Sequence, residues 1–267
     1  MLADLNGARV LLTGASGGIG LAIARSLHRR GASLLVTGRR QEVLGELCGE
    51  LGDRVEPIVA DLARADDVQM LIERGAGVDV LVANAGLPAA GRLDDFEPEQ
   101  IDRALDVNLR APMQMAHALV PTMVERRRGH VVLVSSMAGK VAQSGSSIYS
   151  ATKFGLRGFG YALHDELRDS GVGVTVVYPG FIRDAGMFAE SGTKLPAGTG
   201  TRSPEQVADA VIKGIETGRA EFDVAPLSFR FGGRLFGAAP GVVTTLTRLG
   251  GGHKVAEALQ EGQRNKR

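Results

Sequence analysis

Short runs of apolar and β-branched residues recur along the chain, and each is followed by a stretch in which apolar residues return at helical spacing. The runs cover 8–13, 33–37, 55–60, 78–83, 130–135 and 172–178. Runs this continuous are typical of strands that are buried on both faces, as in a parallel sheet. Strands and helices therefore alternate to about residue 220, and the pattern predicts an α/β protein built on one doubly wound parallel sheet.

The predicted helices carry start and stop signals. The first is followed by Gly31, a residue that suits a helix end, and another opens at Pro98. Ser203 stands three residues before Gln206, which is the spacing of a capping box. With these boundaries the prediction is a single-domain Rossmann fold without a linker-like break.

Two segments depart from this rhythm. Residues 184–203 are rich in Gly, Ser and Thr, and a loop of this length is commonly a lid or a disordered stretch. Residues 222–251 mix Phe, Leu and Val with three arginines. We expect 222–267 to form an extension that packs on the domain of residues 1–221 or on a partner subunit. For residues 227–251, shallow attachment to an anionic membrane is the alternative to such packing.

Composition and charge narrow the functional classes. The 267 residues have a net charge of +1, which predicts no general attraction of the whole chain to nucleic acid or to anionic lipid. Cys48 is the single cysteine and the five histidines are scattered, so we expect neither a disulfide within the chain nor a metal site. The first residues lack a signal-peptide pattern, and no apolar run reaches about 18 residues, so we expect a cytoplasmic protein.

A glycine-rich stretch, TGASGGIG at 13–20, follows the first predicted strand and opens the first predicted helix. Gly14, Gly18 and Gly20 allow a tight turn and a close approach of the backbone to a ligand. The N–H groups at the helix start then favour a pyrophosphate. The spacing G-x-x-x-G-x-G differs from G-x-G-x-x-G, but the strand–turn–helix context predicts a dinucleotide site.

The same residues also read as G-x-S-x-G, with Ser16 at the centre. This is the nucleophile-elbow pattern of serine hydrolases, which need a downstream acid and a histidine. His164 and His253 are available, but neither lies in a pattern that indicates a triad. A serine hydrolase is therefore the weaker alternative to a dinucleotide-binding protein.

The end of the second predicted strand indicates which dinucleotide is bound. NAD-binding folds place an acidic residue about 20 residues after the glycine loop, where it binds the ribose hydroxyls. Here Gly38 stands at that position, followed by Arg39 and Arg40. A guanidinium pairs with a 2′-phosphate through charge-assisted hydrogen bonds. The sequence therefore predicts NADP(H) as the cofactor.

Tyr149 and Lys153 are four residues apart among small residues, so a helix would place them on one face. A free phenol is a poor acid at neutral pH, with a pKa of about 10, and a nearby ammonium lowers that pKa. The spacing alone fits either a solvated surface pair or a tunable proton donor.

Several ordered motifs together resemble the short-chain dehydrogenase/reductase family over residues 7–220. After the glycine loop they are ADL at 60–62, ANAG at 83–86, VN at 107–108, SS at 135–136, YSATK at 149–153 and YPG at 178–180. The 13-residue step from Ser136 to Tyr149 also matches. The resemblance implies that residues 1–221 are the dinucleotide-binding and catalytic Rossmann domain of an NADP(H)-dependent oxidoreductase that interconverts a ketone and a secondary alcohol.

The resemblance also implies roles for individual residues. The catalytic residues would be Asn108, Ser136, Tyr149 and Lys153. The cofactor would be bound by Gly14, Ser16, Gly18, Ile19, Gly20, Arg39, Arg40, Asp61, Leu62, Asn84, Ala85, Gly86, Tyr149, Lys153, Pro179, Gly180 and Ile182. Tyr149 would act as general acid, Lys153 would lower its pKa and bind the nicotinamide ribose, and Ser136 would hold the carbonyl. Asn108 would hold a water that links Lys153 to solvent.

Two features depart from the family pattern. Asp184 stands where the family commonly has a threonine that contacts the nicotinamide carboxamide, so the role of this position is open. A DGG motif near the C-terminus is missing, which leaves assembly of a tetramer open. A homodimer through the helices near 98–127 and 149–169 is the family expectation.

The substrate pocket is expected, by position in the family, to be mostly apolar and to be lined by Leu87, Met137, Val141, Met187, Phe188 and Leu195. Such a lining favours a hydrophobic ketone or secondary alcohol, for example a lipid, ketoacyl or steroid-like compound. A catalytically silent protein that binds NADP as a sensor or scaffold is a further alternative, which the intact set of catalytic residues disfavours.

Overall fold

The fold is taken from a computed structural model, which describes residues 4–193, 195, 199–249 and 252–263. Parallel strands form its central sheet. In chain order they are β1 (Arg9–Thr13), β2 (Ser33–Gly38), β3 (Val55–Val59), β4 (Val80–Ala83), β5 (Gly129–Val134), β6 (Val172–Pro179) and β7 (Glu221–Val224). Their order across the sheet is β3-β2-β1-β4-β5-β6-β7, which confirms the predicted doubly wound α/β fold.

Helices cover both faces of this sheet. They are α1 (Gly18–Arg29), α2 (Gln41–Leu51), α3 (Ala65–Arg74), α4 (Pro98–Leu105), α5 (Ala111–Glu125), α6 (Ser147–Glu166), α7 (Gly186–Glu190), α8 (Pro204–Thr217), α9 (Leu227–Ala238), α10 (Pro240–Leu249) and α11 (Gly252–Gln263). A π-helical turn, Asp106–Arg110, joins α4 to α5, and a 3₁₀ turn, Met137–Gly139, follows β5.

The predicted helix signals act as expected. Gly31 follows α1 with a φ of 88°, a conformation that glycine adopts without strain. Pro98 is the first residue of α4. The Ser203 hydroxyl accepts a hydrogen bond from the Gln206 N–H at 3.4 Å, and the Gln206 side chain accepts from the Ser203 N–H at 3.0 Å. This capping box begins α8, which then packs against α1.

Each face of the sheet has its own apolar core. Leu12 of β1 belongs to a cluster with Val211 of α8 on one face. Its neighbour Leu11 belongs to a second cluster, with Met115 of α5, on the other face. All four side chains are fully buried. Because successive side chains of a strand point to opposite faces, a strand covered on both sides needs an unbroken apolar run.

The edge strand β7 was not among the predicted strands. Its sequence is EFDV, in which Glu221 and Asp223 interrupt the apolar residues. The strand pairs in parallel with β6 over Val176–Pro179. The boundary drawn at 221/222 between domain and extension therefore falls inside a strand of the sheet.

The glycine-rich segment 184–203 contains the short helix α7, and a bridge between Ile182 and Arg202 closes its base. Residues 194 and 196–198 of this segment lie outside the described residues. Among the helices of the described part of the chain, none has the length and apolar character needed to cross a membrane. No group of three or more potential metal-binding side chains occurs among these residues either.

Candidate active site

A cleft of about 1330 Å³ lies at the carboxyl ends of the strands. It extends over the ends of the neighbouring strands β1 and β4. The strand order reverses between them, with β2 and β3 on the side of β1 and β5, β6 and β7 on the side of β4. In open α/β sheets this switch point is the usual ligand site. Every predicted cofactor-binding residue lines the cleft, and so do Ser136, Tyr149 and Lys153. Asn108 does not line it but is buried next to it.

The glycine loop brings backbone close to backbone at the floor of the cleft. Gly14 has a φ of 69°, and a Cβ built on it would lie 2.7 Å from the Cα of Ala85. A Cβ on Gly20 would lie 2.1 Å from the carbonyl oxygen of Gly14. No side chain caps the start of α1, and the first N–H groups of a helix have no partner within it. The loop thus fits a phosphate-bearing ligand.

Two polar side chains connect the loops that follow β1 and β4. The Thr13 hydroxyl accepts hydrogen bonds from the N–H groups of Asn84 and Ala85, at 3.1 and 3.0 Å. The Asn84 amide in turn donates to the carbonyl oxygens of Thr13 and Gly14, at 3.0 and 3.2 Å. Thr13 was not among the predicted site residues, although it directly precedes the glycine loop in the sequence.

The end of β2 places a glycine, close to the Ser16 side chain, at the position where NAD-binding folds have an acid. A Cβ on Gly38 would lie 2.4 Å from the Ser16 hydroxyl oxygen. Arg39 and Arg40 follow, and both are exposed at the edge of the cleft. The Arg40 guanidinium donates a hydrogen bond to the Ser16 carbonyl, which ties it to the glycine loop.

An ion pair stands at the same end of the cleft. Asp61, after β3, lies 2.8 Å from the Arg103 guanidinium of α4 and also accepts a hydrogen bond from the Ala63 N–H at 3.1 Å. Burial favours the neutral carboxylic acid, but the bonds from Arg103 and Ala63, with the charges of Arg103 and Arg39, leave the pKa of Asp61 below its ordinary value. Arg103 also lines the cleft and was missed by sequence reasoning.

Asn108 fixes the chain beside the catalytic residues. It lies in the π-helical turn Asp106–Arg110 and is fully buried. Its side-chain oxygen accepts from the Leu87 N–H at 2.7 Å, and its amide nitrogen donates to the Leu87 carbonyl at 3.0 Å and to the Thr152 hydroxyl at 3.4 Å. A Cβ on Gly86 would lie 3.3 Å from the Asn108 oxygen and 3.6 Å from Lys153 Nζ.

Ser136, Tyr149 and Lys153 meet in the centre of the cleft. Ser136 stands between β5 and the 3₁₀ turn, and its hydroxyl accepts from the Ala138 N–H at 3.1 Å. Lys153 Nζ lies 5.6 Å from the centre of the Tyr149 ring and donates to the Val134 carbonyl at 3.1 Å. Gly139 allows the turn to approach α6, because a Cβ there would lie 2.6 Å from the Lys153 carbonyl oxygen.

Burial dominates the electrostatics of this group. It raises the pKa of Tyr149 to about 12, against the lowering effect of a hydrogen bond with Ser136. Burial also lowers the pKa of Lys153 to about 8. In the protein alone, desolvation thus sets the pKa of Tyr149, whereas the family resemblance led us to expect Lys153 to lower it. At neutral pH the phenol is protonated and most of the amine is charged.

Two residues that the sequence offered as candidates for the site, Asp184 and His164, lie outside the cleft. Asp184 does not line the cleft: its side chain is 73% exposed and lies 3.3 Å from the Arg183 guanidinium. Asp184 and Ser16 instead border a shallower depression beside the glycine loop. His164, considered for a hydrolase triad with Ser16, is held away from the cleft, with its Nδ1 2.9 Å from the Val174 carbonyl oxygen. The side chain of His253 lies outside the described residues.

The remaining wall of the cleft is apolar. All six residues expected in the substrate pocket line it, namely Leu87, Met137, Val141, Met187, Phe188 and Leu195. The C-terminal helices add apolar residues that the sequence did not identify as part of the site: Phe229, Phe231, Leu235, Val243, Leu246 and Leu259.

Comparisons with known proteins agree with this geometry. The family described as short chain dehydrogenase matches residues 8–196. The chain is 33% identical over 227 residues to the ketoacyl reductase HetN of Nostoc sp., covering 82% of this chain and 79% of that protein. It is 34% identical over 215 residues to the 3-oxoacyl-(acyl-carrier-protein) reductase FabG of Rickettsia felis, covering 78% and 89%.

A solved structure shows the same likeness in three dimensions. The short-chain dehydrogenase from Sphingobium yanoikuyae in complex with NADPH has a TM-score of 0.77 and 30% identity, covering 88% of this chain and 94% of that chain. The fold, the cleft and the matched family agree, and the G-x-S-x-G pattern is part of a glycine loop rather than of a hydrolase elbow. This chain therefore belongs to the short-chain dehydrogenase/reductase family of oxidoreductases.

Proposed function

We propose that this protein is an NADP(H)-dependent oxidoreductase that interconverts a hydrophobic ketone and the corresponding secondary alcohol. The observation that carries the proposal is the arrangement of one cleft. Ser136, Tyr149 and Lys153 lie at its centre, a glycine loop and two arginines lie at one end, and apolar side chains form the other wall. The reductase names of two relatives and the NADPH bound to a structural neighbour support the same reading.

The residues present fit a dinucleotide. The close approaches at Gly14 and Gly20 leave backbone N–H groups at the start of α1 facing the cleft. Arg39 and Arg40 supply positive charge where a 2′-phosphate would lie, and Gly38 presents no carboxylate that would repel it. When bound, the reduced nicotinamide supplies a hydride to the carbonyl carbon.

The side chains at the centre of the cleft have complementary roles in this reaction. The Ser136 hydroxyl hydrogen-bonds the substrate carbonyl oxygen and holds it next to Tyr149. The Tyr149 phenol, protonated because its pKa is about 12, gives its proton to that oxygen as the hydride arrives. The charged Lys153 stabilises the phenolate that is left, since an opposite charge favours the ionised form. Asn108 holds the Leu87 backbone, and with it the loop beside Lys153, in place.

The apolar wall indicates the substrate class. Met187 and Phe188 of α7 face the cleft together with Phe229 and Leu235 of α9. A pocket of this kind binds the hydrocarbon part of a lipid, ketoacyl or steroid-like molecule better than a sugar phosphate. We further expect a homodimer through the helices near 98–127 and 149–169, as the family resemblance implies.

The test is a panel of ketones and secondary alcohols with NADPH or NADP, followed by absorbance of the reduced nicotinamide. We expect turnover of hydrophobic ketones of increasing chain length and little turnover of sugar phosphates. Tight binding of NADPH without turnover of any compound in the panel would instead favour a catalytically silent NADP-binding protein.

A further inference from the structure

The C-terminal helix α9 packs on the domain with part of its apolar surface, and α10 packs against α9. Phe229 lies edge-on against Phe181, with ring centres 5.5 Å apart, and the Phe236 ring centre lies 6.2 Å from that of Phe154. Gly233 is buried, and a Cβ there would lie 3.0 Å from the Met137 side chain. One side of α9 is thus in contact with the core.

The opposite side of the same helices exposes large apolar side chains. Leu227 is 75% exposed, Phe231 69%, Val242 53% and Leu246 58%. These four make up half of the strongly exposed large apolar residues in the described part of the chain, and they fall within 20 residues. Exposed apolar groups scattered singly need no explanation, but a cluster of this kind marks an interaction surface.

This exposed patch, defined as Leu227, Phe231, Val242 and Leu246, is continuous with the cleft. Phe231 and Leu246 are exposed and also line the cleft, and Leu235 and Val243 line it further in. A hydrophobic molecule leaving an apolar phase at this surface would meet the apolar wall of the cleft without crossing bulk water.

The net charge of the C-terminal segment indicates which kind of surface the exposed patch would contact. Residues 225–267 contain seven Lys and Arg and two Glu, a net charge of +5, whereas residues 1–224 contain 24 Lys and Arg and 28 Asp and Glu, a net charge of −4. On α9, Leu227, Arg230, Phe231 and Arg234 follow the spacing that places residues on one helix face. Arg234 is exposed and Arg230 half-buried. Apolar residues flanked by cations are the pattern of a helix that lies in the interface of an anionic bilayer.

We propose that the exposed patch inserts shallowly into an anionic lipid surface, with Arg230 and Arg234 at the level of the headgroups, so that the mouth of the cleft opens towards the acyl layer. The attachment itself is independent of the reaction. Only the consequence, that a hydrophobic substrate enters from the lipid, rests on the proposed function.

The test uses the full-length protein and vesicles that sediment. One set contains phosphatidylcholine mixed with phosphatidylglycerol, and the other contains phosphatidylcholine alone. We expect the protein to sediment with the anionic vesicles at low salt, and the bound fraction to fall as salt is raised, because added ions screen the attraction. A wild-type protein that stays in the supernatant with anionic vesicles at low salt would overturn the proposal.

Leu227 and Val242 belong to the exposed patch but do not line the cleft, so substitutions there test the patch without altering the cleft. Leu227→Ser combined with Val242→Ser should reduce the vesicle partition coefficient about tenfold or more, while NADPH binding, followed by fluorescence, stays unchanged. Arg234→Ala should reduce it about fivefold. The matched control is Leu93→Ser, which alters a side chain that is 64% exposed on a different part of the surface, and it should leave partitioning unchanged.

A second copy of the chain is the competing occupant of this face. Analytical ultracentrifugation without lipid distinguishes self-association through the patch from attachment of the patch to lipid. If the double variant converts a wild-type oligomer to a smaller species and leaves vesicle binding intact, the patch is a subunit interface and the proposal is wrong. An equal loss of vesicle binding in Leu93→Ser would likewise contradict it.

Discussion

Lys140 Nζ lies 2.5 Å from a carboxylate oxygen of Asp223, and both side chains are only 4% exposed. A second carboxylate, that of Glu221, lies 2.8 Å from the same nitrogen, and the Tyr178 ring centre lies 4.0 Å from it. Lys140 directly follows the 3₁₀ turn after Ser136, and both acids belong to β7. The buried ion pairs therefore connect the turn that carries Ser136 to the edge strand of the sheet.

Replacement of Lys140 by an uncharged residue should lower the free energy of unfolding. Lys140→Met preserves most of the side-chain volume but leaves a buried carboxylate without its partner, which costs about 3–5 kcal/mol of unfolding free energy. The double variant with Asp223→Leu should recover much of that loss, since an apolar pair can replace a buried ion pair. Urea unfolding measures both. Lys213→Met, at an exposed site of α8, is the control and should change stability by less than about 0.5 kcal/mol. A stability of Lys140→Met equal to that of the control would show that the pair contributes little.

The same ion pair shows why sequence reasoning found six of the strands. Five of those strands, β1, β2, β4, β5 and β6, lie inside the sheet and are mostly apolar because helices cover both their faces, and such runs can be read locally. β3, at the other edge, contains Glu56 but keeps Val55, Ile58 and Val59 within five residues. β7 contains Glu221 and Asp223, whose partner Lys140 lies more than 80 residues earlier in the chain. A polar residue in a strand is explained only by a partner that the local pattern cannot reveal.

The candidate active site also contains some features that local motifs predict and others that depend on residues distant in the sequence. The glycine loop was predicted from its strand–turn–helix context, and the roles of Ser136, Tyr149 and Lys153 from the family resemblance, which rests on short local motifs. The pairing of Asp61 with Arg103 was not, since the two are 42 residues apart. Nor does spacing report burial, which raises the pKa of Tyr149 in the protein alone.

Tyr149→Phe should abolish most of the reduction. The substitution removes the phenol that gives the proton, and general acid catalysis is worth about 10²–10⁴-fold in rate. NADPH binding, titrated by fluorescence, should be nearly unchanged, because the aromatic ring remains. Tyr161→Phe is the matched control: this phenol is on the same helix and bonds Glu221 rather than facing the cleft. Near-normal turnover by Tyr149→Phe on an authentic substrate would exclude the mechanism.

Arg39→Ala should weaken NADPH binding far more than NADH binding. A hydrogen bond to a charged group is worth about 1.5–3 kcal/mol, which corresponds to roughly 10- to 100-fold in affinity. Arg64→Ala, which removes an exposed arginine that does not line the cleft, should alter neither dissociation constant. Equal weakening of both cofactors by Arg39→Ala, or equal affinity of the wild type for both, would show that NADP(H) is not preferred.

Gly38→Asp should move cofactor preference towards NADH, because an acid at this position binds the ribose hydroxyls of NAD and repels a 2′-phosphate. A Cβ at residue 38 would lie 2.4 Å from the Ser16 hydroxyl oxygen, which a rotation of the Ser16 side chain can move away. Fluorescence titration with NADPH and NADH measures the change, and an unchanged ratio of the two dissociation constants would contradict it.

His130 should make the folded protein sensitive to acid. The ring is fully buried, and its Nε2 lies 2.9 Å from the Thr175 hydroxyl oxygen. Within the described residues its Nδ1 has no hydrogen-bond partner. Burial, with a smaller contribution from the charge of His164, lowers the pKa of His130 to about 3 from an ordinary value of 6.5. The folded protein therefore holds this side chain neutral at all moderately acidic pH values.

The sign of the effect follows from proton binding. Between pH 6.5 and about 3 the unfolded chain takes up a proton at residue 130 that the folded chain does not, so the free energy of unfolding falls as pH falls, by up to about 1.4 kcal/mol per pH unit. Between pH 7 and pH 5 this one group should cost about 2 kcal/mol. His130→Gln removes the titration, and its stability should fall less over that interval by the same amount. His117→Gln, at an exposed position of α5, should follow the wild type. Urea unfolding at both pH values measures the difference, and parallel loss of stability in the wild type and His130→Gln would show that His130 is not the acid-sensitive group.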